Sequence, residues 1–165
     1  MIRDFPHTKL DPGLKTGLIL CGMGGPDGPD SVEPFLRNLF RDPAIFPLPR
    51  LLANPLGWLI AKRRAPEAIE RYLMVSPDGV SPQIGTTAQQ AALLAERLSD
   101  AGLPTVGAIA MRYWRPWPEA AIRELLDAGA QQFMIVPTYP QYSDATNGST
   151  LDFVVDKLTD LAPEK

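Results

Sequence analysis

The sequence predicts a three-layer α/β fold, with an open parallel sheet and helices on both faces. Three observations predict it. Short apolar, β-leaning runs stand at residues 17–23, 105–111 and 133–136. Segments with helical character lie between and after them, and most of the 18 prolines and 13 glycines gather in the connections. A chain of 165 residues, 45% hydrophobic, has length for one core and not for two.

The elements follow in order. Residues 1–15, broken by Pro6 and Pro12, read as a flexible arm, and residues 16–165 as the folded domain. The run Gly17-Leu18-Ile19-Leu20-Cys21-Gly22-Met23 ends in Gly24-Gly25-Pro26, as a strand buried on both faces and followed by a tight turn would. Asp30-Ser31 is placed to cap a helix through Phe40, with Pro34 in its first turn. Pro43, Pro47 and Pro49 make residues 41–50 an irregular connection. Residues 51–64 are helical in character but interrupted by Pro55, and Pro66 starts a further helix through Leu73. After a Pro/Gly loop over residues 76–84, residues 86–100 form the clearest helix, with an apolar stripe of Ala88, Ala91, Ala92, Leu94, Ala95 and Leu98. Strand 105–111, helix 118–128 closing at Gly129, strand 133–136 and a last helix over 148–161 complete the alternation.

Composition narrows the function. A net charge of −3 supplies no basic surface of the kind that neutralises nucleic-acid phosphates. Cys21 is the single cysteine, so there is no internal disulfide and no cysteine-built metal site, and a reducing cytoplasm is the expected compartment. The first 15 residues contain no apolar run that would serve as a signal peptide or membrane span.

In an open parallel sheet, ligands bind beyond the carboxyl ends of the strands. Three loops therefore matter: residues 23–30, 112–117 and 139–148. The first is glycine-rich but lacks the spacing of a phosphate cradle, and reads as an ordinary tight turn or as backbone lying close to a flat ligand beside Met23. The second belongs to Met111-Arg112-Tyr113-Trp114-Arg115-Pro116-Trp117, with two guanidiniums and three aromatics in seven residues. Such a cluster suits a flat ring carrying carboxylates, or else covers the core edge with its arginines solvated. The third, from Tyr139 to Gly148, is rich in hydroxyls and leads into a helix N-terminus, where an anion or a simple cap is served equally.

Several motifs stand together in order. They are residues 20–27, Phe35-Leu36-Arg37-Asn38-Leu39-Phe40-Arg41-Asp42-Pro43, Ile60-Ala61-Lys62-Arg63-Arg64-Ala65-Pro66, Ser81-Pro82, Met111-Arg112-Tyr113-Trp114 and Pro140-Gln141-Tyr142-Ser143. Their order and spacing resemble the amino-terminal half of the ferrochelatases over residues 15–159. The resemblance implies a chelatase-like (flavodoxin-like) half that helps to insert ferrous iron into a porphyrin in haem synthesis, a lyase reaction in which both are substrates and no cofactor is tightly bound. It implies that Met23 lines the macrocycle, and that Arg63 or Arg64, Ser81 and Arg112 meet propionates or groups at the pocket mouth. Tyr72, Tyr113, Tyr142 and Ser143 would line the pocket or aid metal passage. Two places depart from the family pattern: Pro77-Asp78-Gly79-Val80-Ser81, and Asp144-Ala145-Thr146-Asn147 after Gln-Tyr-Ser.

The same resemblance implies that the catalytic histidine and its acidic partner belong to a carboxyl-terminal half, so no catalytic or metal residue is expected in this chain. His7, the only histidine, reads as a solvated arm residue. The expected partners are a porphyrin and either a carboxyl-terminal chelatase half or a homodimer mate, with no nucleic acid. The apolar residues 51–60, followed by Lys62-Arg63-Arg64, suit burial against that half or peripheral membrane contact at a pocket lip. Two other readings share the fold, a non-catalytic tetrapyrrole carrier and a flavin-binding domain.

Overall fold

A computed structural model describes residues 9–163. Its sheet has three parallel strands, β1 (Thr16–Gly22), β2 (Thr105–Met111) and β3 (Gln132–Pro137), in the order β2-β1-β3. Thr16 pairs with Thr105 on one side and Gln132 on the other, and the register runs unbroken from there. All seven residues of β1 are buried, as its continuous apolar run requires of a central strand, whereas every residue of β3 is only partly buried.

Among the described residues, six helical segments accompany the sheet: α1 (Pro29–Phe40), α2 (Arg50–Val75), α3 (Pro82–Asp100), α4 (Pro118–Asp127), a π-helical turn (Asp144–Gly148) and α5 (Ser149–Leu161). One sheet face, with Leu18, Leu20, Ile109, Met134 and Val136, packs on Ala91, Ala95 and Leu98 of α3. The other face, with Ile19, Cys21, Ala108 and Ala110, packs on Ile122 and Leu125 of α4 and Val154 and Leu158 of α5. Each fully buried Leu or Ile contributes roughly 2 kcal/mol. The second crossover changes face and also reverses direction across the sheet, so both crossovers have the same hand.

A third cluster lies off both faces. Val32, Phe35 and Leu36 of α1 pack on Ala61 and Ala65 of α2, and this pair rests on Met23, Tyr113 and Trp114 at the carboxyl end of the sheet. The three-layer α/β class is as the sequence predicts, and the α1–α2 pair stands over the rim that the fold uses for ligands.

Several boundaries differ from the sequence reading. Helix α1 starts at Pro29, and Ser31 is inside it, its hydroxyl accepting from the Asp27 N–H at 2.8 Å and donating to the Gly28 carbonyl at 2.7 Å. Pro34 therefore lies in the helix interior. Helix α2 runs unbroken through Pro55 and Pro66. Its buried residues Ala53, Gly57, Ala61 and Ala65 recur every four positions, and this close seat on α1 holds the helix together across both prolines. Helix α3 begins one turn earlier than residue 86, at Pro82, with the Ser81 hydroxyl accepting from the Gln83 N–H. Its buried stripe is Thr87, Ala91 and Ala95, while Ala88, Ala92 and Leu94 face outward.

Of the arm expected over residues 1–15, the part from Asp11 is a turn tied to the start of β3: Gln132 accepts from the Asp11 N–H at 2.9 Å and donates to its carbonyl at 2.8 Å. His7 and its expected solvated role lie outside the described residues. No helix among the described residues is long and apolar enough to cross a membrane.

Candidate functional site on the carboxyl rim

The three post-strand loops meet at one edge because parallel pairing continues past the strands. The Arg112 N–H reaches the Gly22 carbonyl at 2.9 Å, the Tyr113 N–H the Met23 carbonyl at 3.0 Å, and the Thr138 N–H the Cys21 carbonyl at 2.8 Å. Residues 112–116 loop back, with the Met111 N–H on the Pro116 carbonyl at 2.8 Å, and the Arg115–Pro116 peptide is cis.

The glycines of the first loop serve packing within the chain. Gly24 has φ +84°, and a Cβ there would press on Met111, while a Cβ on Gly25 would collide with the Ser81 side chain. Ser81 is buried, and its N–H bonds the Pro26 carbonyl at 2.8 Å, so the segment before α3 is fastened to the turn after β1.

Behind this turn is a buried polar cluster centred on Asp42. One carboxylate oxygen, Oδ2, accepts from Arg112 Nε at 3.1 Å, from Arg112 Nη2 at 2.8 Å and from the Tyr113 hydroxyl at 2.7 Å. The other accepts from the Ala44 N–H at 2.9 Å. The Asp42 side chain is 5% exposed and that of Arg112 19%. The Arg112 guanidinium also lies 4.6 Å from the centre of the Phe153 ring of α5. Asn38 of α1 donates to the Tyr113 carbonyl at 3.0 Å. Burial foremost, with the hydrogen bond to Asp42 and its charge, pushes the Tyr113 phenol well above its ordinary range, and Arg112 opposes this only in part.

The sequence-derived residues thus fall into groups. Met23, Tyr113 and Tyr72 share the rim cluster, where burial raises the Tyr72 phenol, and Arg112 borders it. Arg63 and Arg64 are exposed on α2, with the Arg64 guanidinium 5.8 Å from the Phe40 ring centre. Tyr142 and Ser143 are exposed and make local bonds. The Tyr142 hydroxyl donates to Asp144 at 3.2 Å, and the Ser143 hydroxyl accepts from the Thr146 N–H at 3.2 Å to cap the π-helical turn. That hydroxyl-rich loop therefore spends much of its polarity on its own backbone.

The sequence reading missed Asp42 and Phe153 as neighbours of Arg112, and it placed Tyr139 in the hydroxyl-rich loop without the bond to Thr150. The Tyr139 hydroxyl bonds the Thr150 hydroxyl at 3.0 Å, and burial raises its phenol. An open depression of about 330 Å³ runs between α3 and the end of β3, lined by the hydroxyls and amides of Ser81, Gln83, Thr87, Gln90 and Thr138. Among the described residues, no three His, Cys, Asp or Glu side chains are grouped to hold a metal ion.

The family model described as Ferrochelatase matches residues 15–164. The chain belongs to the ferrochelatase family. It is 46% identical to a ferrochelatase of Desulfotalea psychrophila over 84% of this chain and 42% of that protein. It is 44% identical to a ferrochelatase of Aquifex aeolicus, over 84% of this chain and 43% of that protein. A chloroplastic ferrochelatase-2 of Cucumis sativus is 41% identical over 83% of this chain and 27% of its own length. The chain thus spans about two-fifths of the bacterial ferrochelatases it matches.

Proposed function

We propose that this chain is the porphyrin-binding half of a ferrochelatase, which inserts ferrous iron into a porphyrin in haem biosynthesis. The observation that carries this reading is the gathering of the partly buried Met23 and Tyr72 with the buried Tyr113, from three separate stretches of the chain, in one cluster on the carboxyl rim. Aromatic faces and a thioether suit a flat, polarisable ring. Arg63 or Arg64 and Ser81 would meet its propionates, and Tyr142 and Ser143 would line the far side of the mouth.

Metal insertion requires removal of two pyrrole N–H protons and a ring bent toward the metal. One wall accomplishes neither alone, so the catalytic base is assigned to a carboxyl-terminal half that faces this rim, and the chain by itself is expected to be inactive. Two features favour such a partner. Strand β3 is an edge strand whose apolar residues are all only partly buried. Helix α2 turns Leu51, Leu52, Leu56, Trp58 and Leu59 outward. The α2 surface also fits a peripheral membrane contact beside the mouth. A cytoplasmic setting suits the lone thiol.

The test is titration of the chain with porphyrin, followed at the Soret band. A shifted, sharpened band at micromolar concentrations is expected. An unchanged spectrum well above micromolar would overturn the reading. Adding a ferrochelatase carboxyl-terminal half in trans should then restore zinc insertion, and continued inactivity with porphyrin bound would favour a non-catalytic carrier.

A further inference from the structure

The Asp42 cluster changes what the rim offers to a ligand. A guanidinium that already gives two N–H groups to a buried carboxylate forms a unit with no net charge. A second carboxylate approaching Arg112 meets the field of Asp42 as well. The Tyr113 hydroxyl is turned to the same oxygen, and the Arg112 guanidinium lies over the Phe153 ring. The exposed cations Lys62, Arg63 and Arg64 of α2 lie outside this unit.

We propose that Asp42 is a positioning residue of the porphyrin-binding wall. By holding Arg112 and Tyr113 on one oxygen it cancels the Arg112 charge, so the wall meets the ring without a free cation and does not select for ring carboxylates. Counter-charge for those carboxylates then comes from α2. The inference rests on the porphyrin reading above and deepens it.

The experiment uses the 165-residue chain and two probes, protoporphyrin IX with two carboxylates and coproporphyrin III with four, each titrated at low and moderate salt. Asp42→Asn keeps the side-chain shape and frees the Arg112 charge. The expected result is a rise of about fivefold in preference for the tetracarboxylate, with a steeper salt dependence. Adding Arg112→Met to Asp42→Asn should abolish that rise. A merely structural role would weaken both probes alike, so an equal loss, or an unchanged ratio in Asp42→Asn, overturns the proposal and leaves the porphyrin reading standing. Should Asp42→Asn fail to fold, the double variant, which has no buried charge left unpaired, is compared with the parent chain. An equal ratio supports the proposal, and a fall in tetracarboxylate preference overturns it. No spectral change with either probe on the parent chain removes both inferences.

Discussion

Burial of Cys21 at the end of β1 pushes its thiol from 9.0 to about 12. Its folded-state value is raised, so its stabilisation is complete below the unfolded value of 9.0 and is lost as pH rises toward about 12. Tyr113, also raised, weakens the fold in the same direction at higher pH. The unfolding free energy from denaturant titrations should therefore fall from about pH 9 upward, by at most roughly 4 kcal/mol from the thiol, and Cys21→Ala should flatten the start of that fall. Thiol alkylation at pH 8 should wait on unfolding, and labelling of the folded chain at a free-peptide rate would contradict this. Residue chemistry was legible where it was dense, as in Met111 to Trp117, because side chains at a strand end must share one edge. Asp42 was illegible: it reads as a turn residue before proline, and the 70 positions separating it from Arg112 close only through the fold. The loop glycines were seen, but whether they faced a ligand or the chain itself depended on Ser81 and Met111 lying beside them.

Strands and their order of alternation could be read from pattern because a strand buried on both faces leaves a continuous apolar run. Helix α2 could not, since its buried face is written in small residues while its large ones point outward. A reading that seeks Leu at the core breaks it at proline. The two prolines remain a local cost, because each removes a donor and crowds the carbonyl four residues earlier. Pro66 is exposed in the interior of α2, so Pro66→Ala should restore an N–H to the Lys62 carbonyl. A gain of about 1–3 kcal/mol is expected. It would appear as a raised thermal midpoint, and a lowered midpoint would show that the backbone shape set by Pro66 is part of the seat on α1.

For the molecule as a whole, outward Leu51 (88% exposed), Leu52 (58%) and Leu59 (56%) form an apolar surface on α2. The chain should self-associate at high concentration, and Leu52→Ser with Leu59→Ser should return it toward monomer in sedimentation velocity. A monomeric parent chain at hundreds of micromolar would contradict this. If the same pair of changes instead abolishes cosedimentation with anionic vesicles and leaves association unaltered, the surface is a lipid contact. The separation of the α1–α2 cluster from the two sheet-face clusters has a mechanical side. The sheet is clamped from both faces and acts as a stiff anvil, whereas the helix pair is joined to it mainly through loop side chains and the Asp42 cluster. Less packing ties the helix pair to the sheet than ties α3, α4 and α5 to it, which makes the rim the softest joint of the fold.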